Sequence, residues 1–523
     1  MKSPEIKNTL VLFILSFAIC SLNIGGNTIY ILDEAKNATC ALEMMQRNDW
    51  VVPTFNGELR TDKPPLHYFL MLISYRVFGV NEFAARFFSA FFGAVTIIIT
   101  FLFSLKYLGK ATANRVAMIL LCSLHFTLQF HLAVPDPYLI CFITAALICF
   151  YLFFDQGNKV YLFAFYAFLG LGTLTKGPVA IILPGLGVIL FLIYSRRLTW
   201  TFIVSMQPAI GITVLAIITL PWYLLVHFQT EGAWTEGFFL RHNVGRFTKT
   251  MEGHGGIFLL TPLFVLIGLL PFSVFVFQAF RLTWTERKKD MLVFCLSVVV
   301  VVVLFFSVSS TKLPNYVVPC YPFLAVLLGY YLNQTIAGNI VISRWPLWIY
   351  LVLMLCVPAG VYIALESETY LSHLSGLAYY FILLPIGALL ALWYAYHGET
   401  AKTYYALFLS FLALNILFFT VIFPKVDREN PVLAAKELLK KEGLPIAYYK
   451  RINPSFVFYL KSPVQPLNSQ EELKDYLRSH QNALIISRAR YLDEIYPAGD
   501  FEMLLKTRDL FEKHSTILIR EIE

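Results

Sequence analysis

Apolar residues in this chain gather in long runs, and polar residues fill the short breaks between them. The runs lie at roughly 8–30, 83–106, 114–133, 137–155, 159–175, 178–195, 199–225, 256–280, 291–309, 314–332, 345–364, 376–396 and 403–423. Each is near the roughly 20 residues a helix needs to cross about 30 Å of hydrocarbon, so a polytopic α-helical membrane protein with about thirteen transmembrane helices is expected. The first run is too long for a cleaved secretory signal and no small-residue cleavage pattern follows it, so it reads as a retained helix.

Two breaks are long. The first, 33–82, opens with "DEAKNATCALEMMQRNDW", where Ala41, Met44 and Met45 recur at near-helical spacing, and continues after Pro64-Pro65 with "LHYFLMLISYRVFG". Both stretches predict helices lying along the membrane surface. The second, 226–256, contains "GFFLRHNVGRFTKTMEGHGG", dense in glycine and cations. After the last run, "FPKVDRENP" marks a change of composition that divides the chain into a transmembrane domain, 1–425, and a small α/β domain, 426–523. There "VLAAKELLKKEG" predicts a helix, while "PIAYYK", "FVFYL", "ALIISRA" and "STILIREI" predict strands.

Composition agrees, since 58% of residues are hydrophobic and only 14% charged, against about a quarter charged in a soluble protein. The formal charge of +8 does not indicate nucleic acid. Lys2, Lys7, Lys106, Lys110, Arg115, Arg196, Arg197, Arg281, Arg287, Lys288 and Lys289 all fall on one side of the alternating runs, and the positive-inside bias makes that side cytoplasmic. The N-terminus is then cytoplasmic, and both long breaks and the C-terminal domain are periplasmic. Eight cysteines show no CxxC pair and sit mostly within apolar runs, as small buried hydrophobes rather than disulfides or zinc ligands.

The candidate chemistry lies at the outer boundary. Asp33 and Glu34 stand where the first run ends, at a place where lost hydration sharpens a carboxylate's pull on a proton or cation. A helix N-cap is the plainer role for Asp33. "GELRTDKPP" sets Asp62 beside Lys63 ahead of two prolines that fix the turn. "VPDPYL" holds Asp136 between prolines, and "TLTKGP" puts Lys176 among apolar runs, where it snorkels, pairs or faces a cavity. Arg241, His242, Arg246, Lys249 and His254 crowd the second long break, and "SSTKLPNYVVPCYP" carries Lys312 and Tyr316. Cations suit a phosphate and a carboxylate suits a hydroxyl nucleophile, so one boundary pocket offering both suits group transfer from a lipid phosphate.

In order, "DEA", "DKPPL", "PDP", "TKGP", "HNVGRF" and "KLPNYVVPCYP" resemble the motif series of the ArnT-like and protein mannosyltransferase group of GT-C glycosyltransferases, from Asp33 to Pro322. The resemblance implies a GT-C fold and an inverting transfer without a covalent intermediate. It implies Asp33 as catalytic acid residue, with Glu34 or Asp136 assisting. Lys63, Arg246 and Tyr316, with Lys312 nearby, are implied as ligands of the donor phosphate. The family often has Glu where this chain has the shorter Asp62, and Asp62, His242 and His254 are the candidates for a divalent metal. No cofactor is required by the sequence.

The function expected is transfer of a monosaccharide from an undecaprenyl-type phosphate carrier to lipid A or another envelope glycolipid, at the periplasmic face of the bacterial inner membrane. Transfer to Ser or Thr of an exported protein keeps the same chemistry. A transporter would place charges within the spans and show repeated halves; a scaffold would leave the boundary charges without a task.

Overall fold

The computed structural model describes residues 3–245, 255–439, 444–510 and 512–522. It is mainly helical. Helix α1 (Ser3–Cys20) leads into a loop and then α2 (Leu32–Arg47), a short hairpin β1 (Thr54–Phe55) and β2 (Glu58–Leu59), and α3 (Leu66–Phe78). After these come α4 (Glu82–Cys122), α5 (Leu124–Phe130), α6 (Asp136–Gln156), α7 (Lys159–Lys176) and α8 (Val179–Tyr194).

Among the described residues, eight helices are long and apolar enough to cross a membrane, or nine if the pair Leu260–Gly268 and Phe272–Thr285, bent by 118°, counts as one span. The apolar runs outnumber them for physical reasons. Within α4, Gly109 at φ 81° kinks the chain between two helices, so that two runs lie in one 41-residue stretch, a conformation glycine adopts at little cost. The run at 114–133 is cut where Ser123 caps α5 by accepting from Phe126 N at 3.2 Å. Helix α8 has only 16 residues, short of a full crossing. The bundle core includes Phe126, Phe130, Phe150, Phe191 and Phe294. By contrast the segment Trp200–Gln229 and the helix Trp345–Ser367 are each only 22% buried, as befits surfaces facing lipid.

The first long break folds against protein rather than lying on a bare surface. Residues Glu34 to Met44 of α2 are almost all buried, covered by α3 on one side and the C-terminal helix Pro454–Leu460 on another. Glu43 ties the hairpin to α2 by accepting from Asn56 N at 2.6 Å and from the Thr54 hydroxyl.

The C-terminal part holds a five-stranded sheet in the order β4-β3-β5-β7-β6, formed by β3 (Ile446–Tyr449), β4 (Gln465–Leu467), β5 (Leu484–Arg488), β6 (Phe501–Arg508) and β7 (Ser515–Glu521). Strands β4, β3 and β5 run parallel, with Ala447 opposite Ile485, and β7 turns antiparallel, with Ile519 opposite Ile485. One predicted strand is corrected: "FVFYL" lies in the helix Pro454–Leu460. Asn453 accepts from Ser455 N at 3.0 Å and Pro454 takes the first helical position, where its missing N–H costs nothing. This unit grips the first break. Asn56 donates to Val464 O at 3.0 Å and accepts from Val464 N at 2.7 Å, and Tyr30 donates to Asp509 at 3.0 Å. All eight cysteines are free, six of them buried.

Candidate active site

Five stretches of the chain meet at one end of the bundle. The turn after β2 supplies Arg60, Asp62 and Lys63, held by hydrogen bonds from Arg60 N to Pro53 O and from the Trp234 indole N–H to Arg60 O, both 2.9 Å. The first residue of α6 is Asp136, the last of α7 is Lys176, and the short 3₁₀ turn Pro314–Cys320 carries Asn315 and Tyr316. The fifth stretch is the wide-turned π-helix Gly237–Val244, bearing His242. It sits on an aromatic cluster of Trp222, Tyr223, Trp234 and Phe238. It also lies so close to the Thr61 turn that a Cβ on Gly237 would stand 2.7 Å from Thr61 Oγ1.

Together they enclose a cavity of about 490 Å³, within the range of small-molecule sites. Asp62, Lys63, Asp136, Lys176, His242, Asn315 and Tyr316 give it a polar end, and Ile182, Leu183, Phe305 and Phe306 an apolar one. Lys176 Nζ donates to Asp136 Oδ1 at 2.7 Å, which also accepts from Asn315 at 3.0 Å. The same ammonium lies 5.2 Å from the centre of the Tyr316 ring, a cation–π contact. His242 Nε2 reaches Asp62 Oδ1 at 3.0 Å. Arg60 stands between Asp62, 3.5 Å from Nε, and Asp33, 3.4 Å from Nη2.

Asp33, expected to face the same cavity, does not line it: Arg60 joins it to Asp62, which does, and 48% of its side chain is exposed. Burial of the surrounding protein pushes its carboxyl up, but Lys63, then Arg60 and Lys176, outweigh that and hold it below its ordinary value. For Asp62 burial again pushes up, and the His242 hydrogen bond with the charges of Arg60, His242 and Lys63 drives it well below the carboxylate range. Both therefore stand ready as anions. Asp33 does not cap its helix: the N-cap residue is Ile31, and no side chain bonds the open N–H groups there.

Glu34 does other work than the one expected of it. It is fully buried and grips Arg86 with both oxygens, at 2.7 and 2.8 Å, while also accepting from Ala133 N at 2.8 Å. Arg86 spends its remaining donors on the carbonyls of Ile24, Asn27 and Thr28. This pair fixes the exit of the first helix to α4. Lys312 likewise turns inward, donating to Ser309 O at 2.6 Å, and it does not line the cavity. Arg246, Lys249 and His254 lie outside the described residues. Among the described residues no group of three or more His, Cys, Asp or Glu could hold a metal ion. Asp62 and His242 bond each other instead. Arg60 went unnoticed in the sequence, although its position two residues before Asp62 in a proline-fixed turn was the available signal.

Residues 62–224 match a family described as dolichyl-phosphate-mannose-protein mannosyltransferase. An undecaprenyl phosphate-alpha-4-amino-4-deoxy-L-arabinose arabinosyl transferase of Yersinia pestis (strain Pestoides F) is 33% identical over 329 residues, covering 61% of this chain and 58% of that one. An uncharacterized protein of Aquifex aeolicus (strain VF5) is 29% identical over 334 residues, covering 63% of this chain and 65% of the other. The chain thus spans less than two thirds of the length of these relatives. The crystal structure of ArnT from Cupriavidus metallidurans bound to undecaprenyl phosphate superposes with a TM-score of 0.80 at 19% identity, over 100% of this chain and 99% of that one. The chain therefore shares the fold of that crystal structure, and its long apolar helices are those of a multi-pass membrane protein. The resemblance to the ArnT-like and protein mannosyltransferase group, read from the motif series, is borne out.

Proposed function

We propose that this chain is a glycosyltransferase that moves a monosaccharide from a polyprenyl-phosphate carrier to lipid A or another envelope glycolipid. The observation that supports this is the cavity itself, whose polar end brings Lys63 and Lys176 to a phosphate and carboxylates beside them, and whose apolar end suits the start of a prenyl chain. The acceptor oxygen attacks the anomeric carbon, the bond from that carbon to the carrier phosphate breaks, and its electron pair leaves on the phosphate. Asp33 orients the acceptor or takes its proton. If the acceptor is itself an ionised phosphate, no proton moves and Asp33 only positions it. Lys63, Tyr316 and Arg246 meet the charge that grows on the departing phosphate, each worth a few kcal/mol when well placed. Asp136 acts through Lys176, holding that ammonium at the cavity wall. Attack from the face opposite the leaving phosphate inverts the anomeric carbon.

The orientation in the membrane belongs to the same proposal. It puts the site and the C-terminal unit on the periplasmic side of a bacterial inner membrane and the N-terminus in the cytoplasm.

Purified protein given an undecaprenyl-phosphate-linked sugar, with lipid A or a Ser/Thr-rich exported polypeptide as acceptor, tests the reading by mass spectrometry of both. Sugar on lipid A is the expected result. Sugar on the polypeptide would move the acceptor to protein, the reading that the mannosyltransferase family match favours. Transfer to neither overturns the proposal.

A further inference from the structure

The chain buries two arginines near its outer boundary, and they are bonded in opposite ways. Arg86 spends all three guanidinium nitrogens on a carboxylate and three carbonyls, with no contact longer than 2.8 Å. Arg60, only 5% exposed, makes a single long side-chain hydrogen bond, to Asp33. Its Nε and Nη1 hold no hydrogen bond among the described residues. A buried guanidinium is normally saturated with acceptors, because unmet donors forfeit their hydration. One left under-bonded between two carboxylates is placed for its charge rather than for cohesion. Departures of this kind from full satisfaction gather at functional sites.

From this contrast we infer that Arg60 is a positioning residue: it lies between Asp33 and Asp62, fixes the Asp33 carboxylate toward the reaction and keeps the two acids from competing for a proton. The inference rests on the proposed transferase reading and deepens it. Two carboxylates near one another cannot both stay ionised at ordinary cost unless a cation separates them. The guanidinium meets one on each side, at 3.4 and 3.5 Å. Through Asp62 it also touches the pair that Asp62 forms with His242 at 3.0 Å. The first and second long breaks are thereby coupled at the acid that acts on the acceptor. The other charged or titratable groups acting on Asp33 are Lys63 and Asp62 from the same turn, Lys176 from α7 and His67 from α3. Removing Arg60 thus leaves Lys63, whose charge acts on both acids, but no guanidinium that reaches an oxygen of each. The backbone of Arg60 is held by Pro53 and Trp234 independently of its side chain, so the turn survives replacement of the guanidinium.

The test is the pH profile of transfer by purified full-length Arg60→Met and Arg60→Lys, with undecaprenyl-phosphate-linked sugar as donor. For Arg60→Met the expected result is a kcat near neutral pH lower by about 100-fold, the scale of a misplaced catalytic group, with donor KM little changed. Its acid limb should move up by about one pH unit or more, as when an acid loses a nearby opposite charge. Arg60→Lys should return the limb toward wild type while recovering kcat only in part, because an ammonium keeps the charge without the fork. Should Arg60→Met not fold, Arg60→Gln carries the same comparison. A lowered kcat with an unmoved acid limb, or an unchanged kcat, overturns the inference alone. Wild-type protein that transfers no sugar overturns the functional reading on which it rests.

Discussion

Lys176 donates to Asp136 at 2.7 Å, joining the last residue of α7 to the first of α6 at the wall of the cavity. Both side chains are largely buried, 16% and 7% exposed. Breaking such a pair on one side strands a charge, at about 3–5 kcal/mol. Lys176→Met should therefore lower the unfolding midpoint in detergent markedly. Lys176→Met combined with Asp136→Asn should recover part of that loss, because no uncompensated carboxylate remains. Equal losses in the single and double variants would show that the two residues do not act as a pair.

Asp33→Asn separates chemistry from cohesion. The side chain caps nothing, and its helix-dipole contribution at an exposed first turn is worth about 0.3–1 kcal/mol. Stability should stay within that margin while transfer to a hydroxyl acceptor falls by about 10²–10⁴-fold, the range of a lost general base. Near-normal turnover would remove Asp33 from the mechanism.

Its neighbour should behave in the opposite way. Glu34→Gln leaves Arg86 without its bidentate partner in a fully buried site, so the expected outcome is loss of folded protein, by about 3–5 kcal/mol. Fluorescence-detected size exclusion of Asp33→Asn and Glu34→Gln side by side checks the contrast. A well-folded but inactive Glu34→Gln protein would restore the catalytic role that the sequence suggested.

These adjacent acids show what the chain's pattern could convey. The apolar runs are local, so the membrane class and most helices could be read from them, and the proline-fixed turns marked Lys63 and Asp136 because a rigid turn narrows where a side chain can go. Which of Asp33 and Glu34 meets Arg86 depends on a residue 52 positions away, and no periodicity carries that information. Lys176 could equally snorkel or pair in the sequence; the start of α6 decides it. The strand pattern of "FVFYL" lost to a cap at Asn453, since a short apolar run fits either element and the cap chooses. Arg60 stayed hidden because a single arginine in a polar turn ordinarily faces water.

His67 sets a pH dependence of stability with a definite sign. It is fully buried in α3 and neither ring nitrogen finds a hydrogen-bond partner among the described residues. Burial first, then the charges of Arg60 and Lys63, holds it well below its ordinary value. The unfolded chain therefore takes up a proton near pH 6.5 that the folded chain refuses, so stability falls as pH drops below that point, by at most about 1.4 kcal/mol per pH unit. Asp33 and Asp62 have depressed values; their contribution is complete above about pH 4 and is lost only as pH falls further. Unfolding midpoints between pH 7 and 5 should decline for wild type and decline less steeply for His67→Phe, in which the buried His131 remains. An equal decline in both would assign the proton uptake elsewhere.

The approach of the second long break to the first depends on a missing side chain. A Cβ on Gly237 would stand 2.7 Å from Thr61 Oγ1 and 2.8 Å from Thr61 Cβ, closer than packed atoms tolerate. Gly237→Ala must therefore push the π-helix away from the turn that carries Asp62, stretching the 3.0 Å contact from His242. Overpacking of this kind costs about 1–3 kcal/mol in stability. The larger effect should fall on transfer, since a displacement near 1 Å at a reacting site can cost about 100-fold. Thr61→Gly removes all three clashing atoms, so Gly237→Ala with Thr61→Gly should transfer sugar faster than Gly237→Ala alone, although neither residue offers a charged or titratable group. Rates for the two single variants and the double variant form the cycle that decides it. If the double variant is no faster than Gly237→Ala, the close packing of these two segments does not set the geometry of the site.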